Sequence, residues 1–155
     1  MRVMPAALFP LLVAATLGPA KTQAFDLFIA REPVYAVVDG ELFVGEARAR
    51  IDRSGTLAIR STLDPQLRCT GHFHFLNGAG GEARLRCSDG NEARLEFEAL
   101  GIASGHGSGE TPRGRVHFAF GLSPGKAAAW LALPAGTSLV KTPDGLRLQT
   151  QKPSS

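Results

Sequence analysis

Apolar and polar positions alternate along most of this chain. Phe43, Gly45, Ala47, Ala49 and Ile51 share one parity, while Glu46, Arg48, Arg50 and Asp52 share the other. A period of two marks a strand with one buried and one wet face. Arg53-Ser54-Gly55 reads as a turn; Leu57, Ile59 and Ser61 then carry the next inner face, and Leu63-Asp64-Pro65 breaks it. Leu67, Cys69, Gly71, Phe73 and Phe75 point one way, with Arg68, Thr70, His72 and His74 opposite. After the turn Asn77-Gly78-Ala79-Gly80-Gly81, the residues Ala83, Leu85 and Cys87 return on the inner parity. Pairing Cys69 with Cys87 sets Phe73 opposite Ala83 and Gly71 opposite Leu85. Inner face then meets inner face along the whole hairpin, as a register requires.

Ser88-Asp89-Gly90-Asn91 reads as the next turn. Ala93, Leu95, Phe97 and Ala99 follow as an inner face, with Glu92, Arg94, Glu96 and Glu98 outside. On this spacing Glu96 and Glu98 meet Arg84 and Glu82, an ordinary cross-strand charge arrangement. The glycine-rich stretch 101–109 is read as a flexible loop, or as a strand whose glycines permit close backbone approach. Val116, Phe118 and Phe120 then alternate with Arg115, His117 and Ala119. Residues 25–32 form a short apolar lead-in, a first strand or an arm.

The ending differs. Ser123-Pro124 has the form of a side-chain cap followed by proline at the first helical position. Residues 124–133 are predicted as a short helix anchored by Trp130, and residues 138–150 as a final hairpin around Thr142-Pro143-Asp144-Gly145. The fold class expected is all-β: a small antiparallel barrel or sandwich of meander type, with one short helix near the C-terminus.

The first residues change the picture. Met1-Arg2 precedes an apolar run over residues 3–17, with small residues after it, the pattern of a secretory signal. Cleavage is expected after Ala24, and a cut after Ala20 is the alternative. The domain plan is therefore a signal peptide at 1–24, a single β domain at 25–150 and a loose tail at 151–155. The full chain carries 17 basic and 14 acidic residues. Removing Arg2 and Lys21 leaves a near-neutral chain, which excludes long-range attraction to nucleic acid. On the same ground no membrane partner is expected after signal removal. Export puts the two cysteines in an oxidising compartment, where a Cys69–Cys87 disulfide is expected.

Cys69-x-Gly71-x-Phe73, followed by Gly80-Gly81-x-Ala83-x-Leu85-x-Cys87-Ser88-Asp89-Gly90, resembles a family of small exported bacterial proteins with no assigned activity. The resemblance implies export and an all-β domain; it implies no substrate, cofactor or catalytic residue.

Candidate chemistry is sparse. His72 and His74 share an outer face, where two imidazoles suit Zn, Cu or Ni, and Glu82 lies opposite His74 as a further ligand. His117 also faces outward and His106 lies in the glycine-rich stretch. Ser88, Ser104 and Ser108 are candidate nucleophiles, none of them in a Gly-x-Ser-x-Gly elbow. No cofactor motif occurs, since the glycine-rich stretch lacks the Gly-Lys-Ser/Thr ending of a phosphate loop. The expectation is an exported, periplasmic or secreted, non-catalytic domain. It would bind a protein or small-molecule partner through loops at 77–81 and 101–111. A metal-binding protein and a small hydrolase are the alternatives.

Overall fold

The computed structural model describes Gly18 and residues 28–153. The expected signal segment and its cut lie outside the described residues. Eight strands run in sequence: β1 (Phe28–Val38), β2 (Glu41–Arg50), β3 (Ser54–Ser61), β4 (Arg68–Phe75), β5 (Gly80–Cys87), β6 (Glu92–Ala99), β7 (Gly105–Thr111) and β8 (Gly114–Phe120). Each pairs antiparallel with the next, and β8 returns to β1, with Val34 opposite Phe120 and Ala36 opposite Phe118. The meander is thus a closed barrel rather than a sandwich. Closure removes the free edges that an open sheet would leave.

The expected hairpin register is met: Cys69 lies opposite Cys87, Gly71 opposite Leu85 and Phe73 opposite Ala83. Cys69 and Cys87 form a disulfide. The neighbouring position carries the ladder bond, Ser88 N–H donating to Arg68 O at 2.8 Å. The cysteines therefore occupy a non-hydrogen-bonded pair, where opposed side chains come closest.

One main core fills the barrel, from Val34, Ala36, Phe43 and Leu57 round to Leu85, Leu95, Phe97 and Phe118. Inward phenylalanines lie across glycines on the adjacent strand. Phe73 faces Gly55, Phe97 faces Gly81, Phe120 faces Gly105 and Phe118 faces Gly107. A Cβ at any of these four glycines would come within 2.3–2.6 Å of the ring opposite. The missing side chains make room for aromatic packing, an arrangement that also pins the register. Of the two readings of the glycine-rich stretch, the strand is therefore correct from Gly105 onward, with a loop only at 100–104.

A second core lies outside the barrel. Four residues Pro124–Ala127 form α1, continued by a 3-10 turn over Ala128–Trp130, and β9 (Thr137–Thr142) pairs with β10 (Gly145–Thr150). This layer covers Val37, Leu42 and Ala119 on the outer wall, and Leu139, Leu146 and Leu148 of the hairpin pack there. Three expectations need correction. Ser123 makes no side-chain cap bond. The anchors are Ala127 and Leu131, both fully buried, while Trp130 is 38% exposed. The helix is also shorter than residues 124–133, because the backbone tightens to 3-10 at Ala128 and Ala132 has a positive φ of 48°. Uncovered by this layer, β3 to β7 present Arg, Glu, Thr and His outward. A charged exterior around an apolar interior is the reverse of a membrane-spanning barrel.

Candidate functional site

The interior is not the site. Two spaces inside the barrel measure about 50 Å3 and 40 Å3; the second is lined by apolar side chains alone, and the lining of the first adds Asp89, Asn91, Glu92, Thr111 and Arg113 to an apolar set. A ligand pocket of ordinary size is roughly 300–1,000 Å3. Side chains have filled this barrel as they do other small ones.

The outer wall carries the chemistry, and it depends on a register that differs from expectation. Cys87 N–H donates to Asn91 O at 2.8 Å, so the turn between β5 and β6 holds three residues, 88–90, with Gly90 at a positive φ of 87°. Asn91 belongs to the ladder. Glycine in the left-handed position of a three-residue hairpin is a known turn chemistry. It moves the pairing by two residues from the sequence reading: Arg84 lies opposite Arg94 and Glu82 opposite Glu96. Arg84 thus faces a like charge where Glu96 was expected, an arrangement that costs stability.

Arg84 and Arg94 stand on one wall of a groove of about 980 Å3. Its floor is low because Thr56, Ala58 and Thr70 are short, while Arg48 on one side and Arg84, Arg86 and Arg94 on the other are long. The carboxylates around it are engaged by other arginines. Glu46 accepts from Arg48 Nε at 2.8 Å and lies 3.9 Å from Arg31. The Arg48 hydrogen bond holds the Glu46 carboxyl below the usual range, overcoming a smaller desolvation effect, and Arg31 adds to the lowering. Glu92 accepts from Arg86, and Glu110 from Arg115 Nη1 at 3.0 Å. Among the described residues no carboxylate forms an ion pair with Arg84 or Arg94. Glu110 lies opposite Arg94 on β7 but pairs with Arg115 instead. Two guanidinium groups on adjacent strands, neither held in an ion pair, can hold one anion through paired N–H donors.

His72 and His74 are both exposed on β4. Arg84 lies opposite His72, and Glu82 lies opposite His74. The arginine puts a positive charge beside the first imidazole, while the second has the carboxylate neighbour expected for it. Among the described residues no three His, Cys, Asp or Glu side chains gather as a metal cluster. The serines are separated. Ser88 Oγ donates to Gln66 O at 2.9 Å and accepts from Arg68 N–H, pinning one end of the barrel. Ser104 sits in the loop 100–104, its carbonyl accepting from Leu100 N–H. Ser108 faces Glu96 and His117 on neighbouring strands and accepts from Arg115 at 3.4 Å.

Two polar features were not expected. Glu41, mostly buried, accepts from Ser61 Oγ and from Arg113. Burial pushes its carboxyl up, but the two hydrogen bonds and the Arg113 charge outweigh that and leave it below the ordinary value. Ser61 Oγ in turn accepts from Leu63 and Asp64 N–H at 3.0 Å, so the network ties β2, β3 and the β7–β8 turn together. His106, on β7 rather than in a loop, stacks on Trp130 at 3.7 Å between ring centres. The Asp39-Gly40 turn could have exposed the first of these, since it sets Glu41 at the barrel mouth. The second had no local signal.

No protein family, no curated protein and no solved structure matches this chain.

Proposed function

We propose that this protein is an exported, non-catalytic binding domain of the cell envelope, and that its ligand presents an anionic group, phosphate or carboxylate, to Arg84 and Arg94. The observation that carries the reading is the opposition of these two arginines across β5 and β6 without an ion-paired carboxylate. A bound anion would replace the repulsion with charge-assisted hydrogen bonds to both guanidinium groups. The groove beside them has the volume of a small-molecule site, and Thr56, Thr70 and His72 supply neutral polar contacts along it. The disulfide and the filled interior favour a rigid scaffold, which loses little entropy when its surface is occupied.

Titration with inorganic pyrophosphate, followed by backbone amide shifts, tests this. The expected result is movement confined to residues 70–72, 84–86 and 92–94, abolished in Arg84→Gln/Arg94→Gln. Unmoved resonances there, or equal shifts in the double variant, would refute the assignment.

A further inference from the structure

Building on the anion site proposed above, we infer that the ligand is a small zwitterion, a phosphate ester carrying an amine. Its phosphate sits on Arg84 and Arg94, and its ammonium on Glu82 and Glu96. Arg84 lies opposite Arg94, and Glu82 lies opposite Glu96. The two pairs are consecutive outward positions of β5 and β6, two residues apart, or about 7 Å along the strands. They form a quartet with one sign at each end. All four side chains line one depression in the outer wall, of about 420 Å3. That is the size of a small-molecule site. Glu110 and Arg115 line it too, but these two neutralise each other at 3.0 Å. Two guanidinium groups present more donors than the two oxygens of a carboxylate accept well, whereas a phosphate ester offers three terminal oxygens.

The quartet does not neutralise itself. Arg84 and Glu82 are two apart on β5, as are Arg94 and Glu96 on β6, and among the described residues no ion pair joins either couple. Glu46 and Arg48, spaced alike on β2, do pair at 2.8 Å. The spacing therefore permits pairing, and β5 and β6 leave it unused. Each like-charge opposition costs stability. An anion alone relieves the arginines but also meets the two carboxylates beside them; a zwitterion relieves both pairs at once. The surroundings of the carboxylates favour a cation. A neighbouring depression of about 620 Å3 shares Glu82, Glu96 and Ser108 with the first, and adds Glu98 and Trp130. No Lys or Arg lines it. Trp130 gives it an aromatic surface of the kind that attracts an ammonium.

Calorimetric titration with 3-aminopropyl phosphate and with propyl phosphate, which differ in the ammonium alone, tests this. Wild type is expected to bind the amino ester about tenfold more tightly, the worth of one charge-assisted contact. In Glu82→Gln/Glu96→Gln that preference should disappear, and Arg84→Gln/Arg94→Gln should bind neither ester. Equal binding of the two esters by wild type overturns the zwitterion while leaving the anion site standing. Binding of neither ester overturns both. A preference that survives in Glu82→Gln/Glu96→Gln also overturns the zwitterion, because the ammonium then sits elsewhere. Sedimentation with phosphatidylethanolamine vesicles assigns the source once the preference is seen. Co-sedimentation supports the zwitterion as a lipid headgroup, and its absence supports a free molecule.

Discussion

The two ends of the barrel are held by different physics. At one end a disulfide bridges β4 and β5, and Glu41 draws in Ser61 and Arg113 across the mouth. At the other, Phe97 makes edge-to-face contacts with Phe73, Phe75 and Phe120 at 5.0–6.2 Å between centres. The first end is fixed by a covalent bond and directed charge, and its rim is polar apart from Leu63. The second is fixed by aromatic rings laid over glycines, and its rim, with Ile51, Leu76, Leu100 and Ile102 exposed, is apolar. Directed interactions can close a mouth while keeping it wet. Closing it by aromatic packing instead carries apolar character outward to the loops.

Substitutions at each end sharpen the contrast. Phe97→Ala should be the most damaging, since it empties the centre of the aromatic cluster. A loss of about 3–5 kcal/mol is expected by urea denaturation. Removing the disulfide by Cys69→Ser/Cys87→Ser frees a separation of 18 residues. It should cost about 3 kcal/mol in the chain-entropy account. Equal losses from the two changes would show that the ends contribute alike; a negligible loss from Phe97→Ala would break the comparison. Gly81→Ala adds a carbon 2.3 Å from the Phe97 ring and from His74 O. Overpacking of this kind costs about 1–3 kcal/mol, seen as a lower denaturation midpoint.

The polar end should respond to pH. The folded-state value of Glu41 is depressed, so its contribution is present above the ordinary carboxyl range near pH 4.3 and is lost as pH falls through the lowered value. Glu41→Gln should cost about 1–2 kcal/mol at neutral pH. The difference from wild type should vanish in acid, when both are compared by thermal unfolding from pH 7 to pH 2. A difference independent of pH would mean that the carboxylate charge is not what holds this end.

Much of the barrel was readable because β3 to β6 keep one dry and one wet face, and the cysteines fixed the β4–β5 register independently. β1 was not readable in the same way. Val34-Tyr35-Ala36-Val37-Val38 is apolar on both faces, because its outer side is covered by α1 and the β9–β10 hairpin. Trp130 misled through its size: the tightening of the helix at Ala128 leaves Leu131 pointing into the second core instead. The candidate site was hidden by one residue. Counting Asn91 into the turn shifts the β5–β6 ladder by two and sets Arg84 opposite Glu96 instead of Arg94. Alternation cannot detect such a shift, since a slip of two preserves which face each residue occupies.

That ladder position supplies the most direct test. Thermal unfolding of Arg84→Glu, with and without pyrophosphate, should separate repulsion from binding. Without the anion the variant should be more stable than wild type by about 0.2–1 kcal/mol, because it sets an opposite charge beside Arg94. With the anion, wild type alone should gain stability. A variant less stable than wild type in plain buffer, or equal stabilisation of both chains by pyrophosphate, would contradict the account.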